Sequence, residues 1–106
     1  MSSGLERELR TAYITGKVVL GSKSTIKLLK LGKVKLVVVA ANADPMIRSD
    51  IEYYAQFSST PILTFNGTSL ELGALLGKPF PIQALAVLDP GESHVMELVE
   101  EAKAGG

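Results

Sequence analysis

Residues 18–33, VVLGSKSTIKLLKLGK, hold the densest group of side chains and backbone features able to do chemistry. A short apolar strand breaks at Gly21, and a helix opens among Ser22, Ser24 and Thr25. The first N–H groups of a helix have no intrahelical partner and lie at the positive end of its dipole, so such a junction attracts anions, phosphate above all. Lys23, Lys27 and Lys30 fall at i, i+4 and i+7 and place three ammonium groups on one helical face, while Ile26 and Leu29 turn another face to a core. Gly21 lacks a Cβ and can let a ligand's backbone come close. Strand, glycine, Ser/Thr cap and helix is also how an ordinary α/β unit turns a corner, with the lysines merely solvated, and residues 18–33 alone leave both readings open.

Other chemistries are less well served. Gly16 and Gly21 are separated by four residues, as in a nucleotide P-loop, but Ser22 stands where that motif needs its lysine and Lys23 comes one place late. There is no cysteine, hence no disulfide, thiolate nucleophile or cysteine metal site. His94 is the only histidine, which leaves zinc chemistry without ligands. Glu52 and Glu71 read as helix-start or surface acids, and neither a paired acid nor a GxSxG nucleophile accompanies them. No metal, cofactor or enzymatic activity is expected.

The positioning elements must come from 106 residues, enough for one domain and one core. Apolar content of 46% and charged content of 21% are those of an ordinary globular chain. Apolar runs such as residues 36–41 are too short to span a bilayer and residues 1–4 do not look like a signal peptide, so a cytoplasmic location is expected. Net charge is zero, yet it is unevenly spread. Residues 1–48 carry nine Lys/Arg against three Asp/Glu (+6), and residues 49–106 carry two against eight (−6). That asymmetry predicts a basic and an acidic face, a pointer to a polyanionic partner, unless the folded surface mixes the two.

Periodicity predicts alternating helices and strands. Leu5, Leu9 and Ala12 keep helical spacing behind a Ser3–Glu6 capping box, and Gly16 ends that helix. Residues 18–20 form a strand, and residues 24–31 a basic helix stopped by Gly32. Residues 34–41 are almost wholly apolar, as in a central strand buried on both faces. The next helix starts at Asp44-Pro45 or at Ser49 with Glu52. Residues 62–65 form a third strand before the Asn66-Gly67 turn. Thr68 and Glu71 box a short helix ending at Gly77. Residues 84–88 form the fourth strand, and Val95, Leu98, Val99 and Ala102 the stripe of a last helix. Residues 1–4 and 104–106 are expected to fray. The αβαβαβαβα order predicts an α/β chain folded as a three-layer α/β/α sandwich.

Four segments taken together add a resemblance: residues 16–45 (GKVVLGSKSTIKLLKLGKVKLVVVAANADP), 49–55 (SDIEYYA), 70–78 (LELGALLGK) and 84–91 (ALAVLDPG). The Gly-x-Lys-x-Thr, Ile-Glu-Tyr-Tyr and Asp-Pro-Gly motifs stand in register over nearly the whole chain. It resembles the L-seven-Ae family of kink-turn RNA binders, in its branch of archaeal and eukaryotic large-subunit ribosomal proteins of the L-thirty-e type. The resemblance implies a mixed four-stranded sheet and an RNA surface of three loops at one end. Gly21, Lys23 and Thr25, with neighbouring Ser22 and Lys27, match the first loop and its helix; Asn42 and Arg48 match the second, Phe80 and Ile82 the third. A kink-turn's sheared G·A pairs and extruded base expose edges that regular A-form RNA hides. Lys23 suits phosphate or guanine O6/N7, Asn42 can offer donor and acceptor to a base edge, and Phe80 with Ile82 can form an apolar shelf. Pro81 and Gln83 depart from the basic and the small residue expected there. Locally, Asn42 can equally cap a turn, Phe80 join the core, and Arg48 pair with Asp44 or Glu52.

The implied function is a structural ribosomal protein that clamps a bent rRNA element, with large-subunit proteins as neighbours, on the ribosome in the cytoplasm, and monomeric when free. The alternatives are a protein-interaction module on the same fold, marked by an exposed apolar patch away from the basic loops, and a small α/β enzyme using Glu52 or Glu71.

Overall fold

The computed structural model describes the backbone of residues 2–105 and the side chains of residues 4–100. The expected looseness at 1–4 and 104–106 falls largely outside the described side chains, as does Ala102. The elements run α1 (Ser2–Thr15), β1 (Lys17–Leu20), α2 (Ser22–Lys30), β2 (Leu36–Ala40), α3 (Pro45–Ser58), β3 (Ile62–Phe65), α4 (Ser69–Leu75), β4 (Ala84–Asp89) and α5 (Val95–Gly105). Helix α1 already begins at Ser2, so Ser3 lies within it rather than capping it, and its side chain is outside the described set.

The sheet has the order β1-β4-β2-β3. Strand β4 is antiparallel to both its neighbours, and β2 pairs parallel with β3. The all-buried LVVVA of β2 therefore sits inside the sheet, and its alternating side chains divide the core in two. Leu36, Val38 and Ala40 pack with Leu9, Leu72, Leu85, Val87, Val95 and Val99, which places α1, α4 and α5 on that face. Val37 and Val39 pack with Leu29, Ile51, Ala55, Ala84 and Ala86, which places α2 and α3 on the other. Helices on both faces of a mixed four-stranded sheet make the expected three-layer sandwich.

Local sequence explains most element ends. Asp44 caps α3 by accepting from the Met46 N–H at 2.8 Å, with Pro45 at the first position, so the earlier of the two expected starts is the one used. Thr68 and Glu71 complete a reciprocal capping box on α4. Helix α2 differs: its cap is Gly21, with no side-chain hydrogen bond, and Ser22 is already helical. The Thr25 hydroxyl, rather than capping, bonds back to the Gly21 carbonyl at 2.8 Å.

The register fixes where the loops meet. Leu20 stands opposite Leu85, Val39 opposite Ala84, and Ala40 beside Phe65. The C-terminal ends of β1, β2 and β3 and the N-terminal end of β4 thus share one end of the sheet. The β1–α2, β2–α3, β3–α4 and α4–β4 connections all converge there.

Candidate nucleic-acid interface

Hydrogen bonds stitch these four loops into one surface. The Gly21 N–H donates to the Ala84 carbonyl at 2.9 Å, and the Ala40 N–H to the Gln83 carbonyl at 2.8 Å. Ala41 N–H reaches the Gly67 carbonyl at 3.0 Å, and Ile82 N–H the Ser69 carbonyl at 2.9 Å. Two side-chain amides close the remaining gaps. Asn42 Oδ1 accepts from the Ser69 N–H, and Gln83 Oε1 from the Asp44 N–H, each at 2.7 Å.

Gly21 has φ 106° and ψ 145°, backbone angles that are essentially reserved for glycine. A Cβ there would meet nothing within 4 Å. The glycine is required by its conformation, not by crowding inside the protein, and it leaves open space above the start of α2. Ser22 is half-buried, and Lys23 and Lys27 are exposed. Lys30 is exposed too but already lies over the Tyr54 ring, 4.8 Å from its centroid, tying α2 to α3.

Asn42 is exposed at the start of the β2–α3 loop. A backbone N–H can only donate, so the Ser69 contact is made by the amide oxygen, and Nδ2 of this exposed residue has no hydrogen-bond partner among the described residues. Asn42 Oδ1 has one of its two lone pairs taken by Ser69, so the expected donor and acceptor pair becomes a free donor beside a partly engaged acceptor. Arg48 is held rather than free: its guanidinium donates to Thr64 Oγ1 at 2.9 Å and lies 3.5 Å from Glu52. Glu52, not Asp44, is its partner, and the side chain as a whole remains partly exposed.

Phe80 is 49% exposed, whereas Ile82 is 2% exposed. Ile82 is corrected from shelf to anchor: it packs beneath the loop with Phe65, Leu72 and Leu76. Thr25 is likewise fully buried, its hydroxyl engaged, so it shapes the turn and cannot itself touch a ligand. Glu71 closes its capping box and Glu52 faces Arg48, so the two acids considered for catalysis have structural partners.

Three contributors escaped the sequence reading. A Cβ on Gly73 would collide with the Phe80 carbonyl oxygen, so this helical glycine lets the α4–β4 loop lie against α4 and present Phe80. Its signal was a glycine inside a short helix. Ser69 acts through its backbone, which no side-chain pattern reveals. Gln83 stood out only as an unusual residue for its place.

The charge asymmetry does not become two clean faces. The α2 lysines are exposed near the loop end, but Lys17, Lys33 and Lys35 flank the opposite end of the sheet, near Asp89 and Glu92, and α1 mixes both signs.

Exposed donors on a preformed loop surface suit a ligand rich in hydrogen-bond acceptors and negative charge. An α/β/α domain with one preformed four-loop end is the class the fold defines. The chain belongs to the Ribosomal protein L7Ae/L30e/S12e/Gadd45 family, whose model matches residues 3–97. It is 52% identical over 102 residues to large ribosomal subunit protein eL30 of Methanopyrus kandleri, covering 96% of this chain and 94% of that protein. The eL30 of Methanocaldococcus jannaschii is 52% identical over 101 residues, covering 95% and 92%. That of Pyrobaculum calidifontis is 53% identical over 96 residues, covering 91% and 95%.

Proposed function

We propose that this protein is a non-enzymatic component of the large ribosomal subunit that binds a kink-turn in rRNA through the four-loop end of its sheet. The carrying observation is the exposed Asn42 carboxamide, its oxygen fixed by Ser69 and its donor without a partner among the described residues, on the same end as Gly21, Lys23 and Phe80. In this reading Lys23 and Lys27 neutralise phosphates, Ser22 and the first N–H groups of α2 add donors, and Phe80 stacks under an unpaired base. Arg48 contributes its partly exposed side chain, and Thr25 and Ile82 position the first and third loops from beneath. The protein acts on the cytoplasmic ribosome and is monomeric when free.

A further observation favours contact with neighbouring subunit proteins in addition. Met46, Tyr53 and Phe57 are 73%, 54% and 70% exposed along α3, and i, i+7 and i+11 share one helical face. On its own, that face would also serve a protein-interaction module.

Gel shifts test the reading. The expected outcome is binding to an RNA with tandem sheared G·A pairs and an extruded base, and its loss when Watson–Crick pairs replace them at constant length. Equal affinity for both RNAs overturns it.

A further inference from the structure

Gln83 lies just before β4, the strand hydrogen-bonded between β1 and β2. It is therefore central to the loop surface, between the Gly21 turn and the Asn42–Asp44 segment. Its backbone carbonyl accepts from Ala40 and its side-chain oxygen from Asp44. Because the Asp44 N–H can only donate, the contacting atom is the oxygen and the Nε2 group is directed away from that contact. Nε2 has no partner among the described residues, and no side-chain nitrogen or oxygen of a covered residue is buried without one. Half-buried Gln83 thus keeps its amide nitrogen in contact with solvent. Asn42 has the same arrangement: oxygen tied to a backbone N–H, nitrogen without a partner among the described residues.

We propose that Gln83 is a further RNA-contacting residue, its Nε2 donating to an acceptor of the bound RNA while its Oε1 holds the β2–α3 loop. The inference rests on the kink-turn reading and extends it: the loop surface carries two pre-oriented neutral donors, Asn42 and Gln83, beside its cationic ones. A neutral donor adds hydrogen-bond complementarity without releasing a counterion, so its contribution is independent of salt. The acceptor is a purine N7, a ribose 2′-oxygen or a phosphate oxygen.

The test is a functional-group scan of a kink-turn RNA against wild type, Gln83→Met and Gln83→Glu. The RNAs carry 7-deazapurine, 2′-deoxy or methylphosphonate substitutions one nucleotide at a time. One substitution is expected to weaken wild type about 3- to 10-fold, the range of a single neutral hydrogen bond, and to leave Gln83→Met unaffected; the analogue that does so identifies which kind of acceptor is used. Gln83→Glu keeps an oxygen for the Asp44 N–H but loses the donor, so its weakening should persist at high salt, where added charge is screened. Every analogue weakening wild type and Gln83→Met equally, or Gln83→Glu matching wild type at high salt, would make Gln83 a clamp only and overturn the proposal. Wild type binding kink-turn and straight duplex alike would instead overturn the functional reading, and with it this one.

Discussion

Single atoms decide what Asn42 can recognise. Asn42→Asp preserves an oxygen for the Ser69 N–H and puts a negative charge beside the start of α4, where it is favourable. Thermal stability should therefore stay at or above wild type, while loss of the free donor weakens kink-turn binding by about 0.5–1.5 kcal/mol, plus charge repulsion. Asn42→Ala should lose both bonds, falling in melting temperature and in affinity. An Asn42→Asp variant that binds like wild type would remove the donor from the interface. Gly21 is a poorer probe, because any L side chain at φ 106° costs about 1–3 kcal/mol of strain before RNA is considered. Among these residues the sequence indicated chemical type well and orientation poorly. That Asn42 uses its oxygen internally, or that Ile82 anchors while Phe80 is exposed, depends on partners 27 residues away in one case and on three core side chains in the other.

Helix α2 turns one side to the core through Leu29 and buried Thr25 and the other to solvent through its lysines. Lys23, beside the Gly21 turn, and Phe80, across the surface, should separate the electrostatic and stacking parts of binding. With Lys23→Ala the slope of log K against log salt should become shallower by about 1. Phe80→Ala should lose about 1–3 kcal/mol at every salt concentration with the slope unchanged. Titrations at four or five salt concentrations decide, and equal slope changes in both variants would refute the division. The existence of each element was legible because apolar periodicity and turn residues are local: β3 occupies the expected residues, and β2 is central as its uninterrupted apolar run required. The α2 cap was misjudged because serine and threonine are the usual caps, while a glycine held at positive φ by its neighbours leaves no comparable mark. Strand order was not written locally at all, since no residue of β4 encodes which strands will flank it.

For the molecule as a whole, β4 ties the sheet together, paired with β1 on one side and β2 on the other. Leu85 is fully buried and stands opposite Leu20 on one side and Val38 on the other. Leu85→Ala should cost about 2–5 kcal/mol in urea denaturation. Truncating Leu70, 61% exposed, should stay within about 0.5 kcal/mol; similar losses in both would mean the core is not organised around the central strands.

The position of β4 also imposes a sequence of events. Residues 84–89, synthesised late, join β1 and β2 across the middle of the sheet, so until they emerge the earlier strands have no shared partner. Gly21 then lacks the Ala84 carbonyl, and Gln83, which serves Ala40 through its carbonyl and Asp44 through its side chain, is not yet held in place by a strand. A nascent chain arrested before residue 84 can still join Asn42 to Ser69, but its Gly21 turn has no Ala84 to anchor it. On the proposed reading the full RNA surface therefore awaits the last strand, and half-made copies are poor competitors for the sites that finished ones fill.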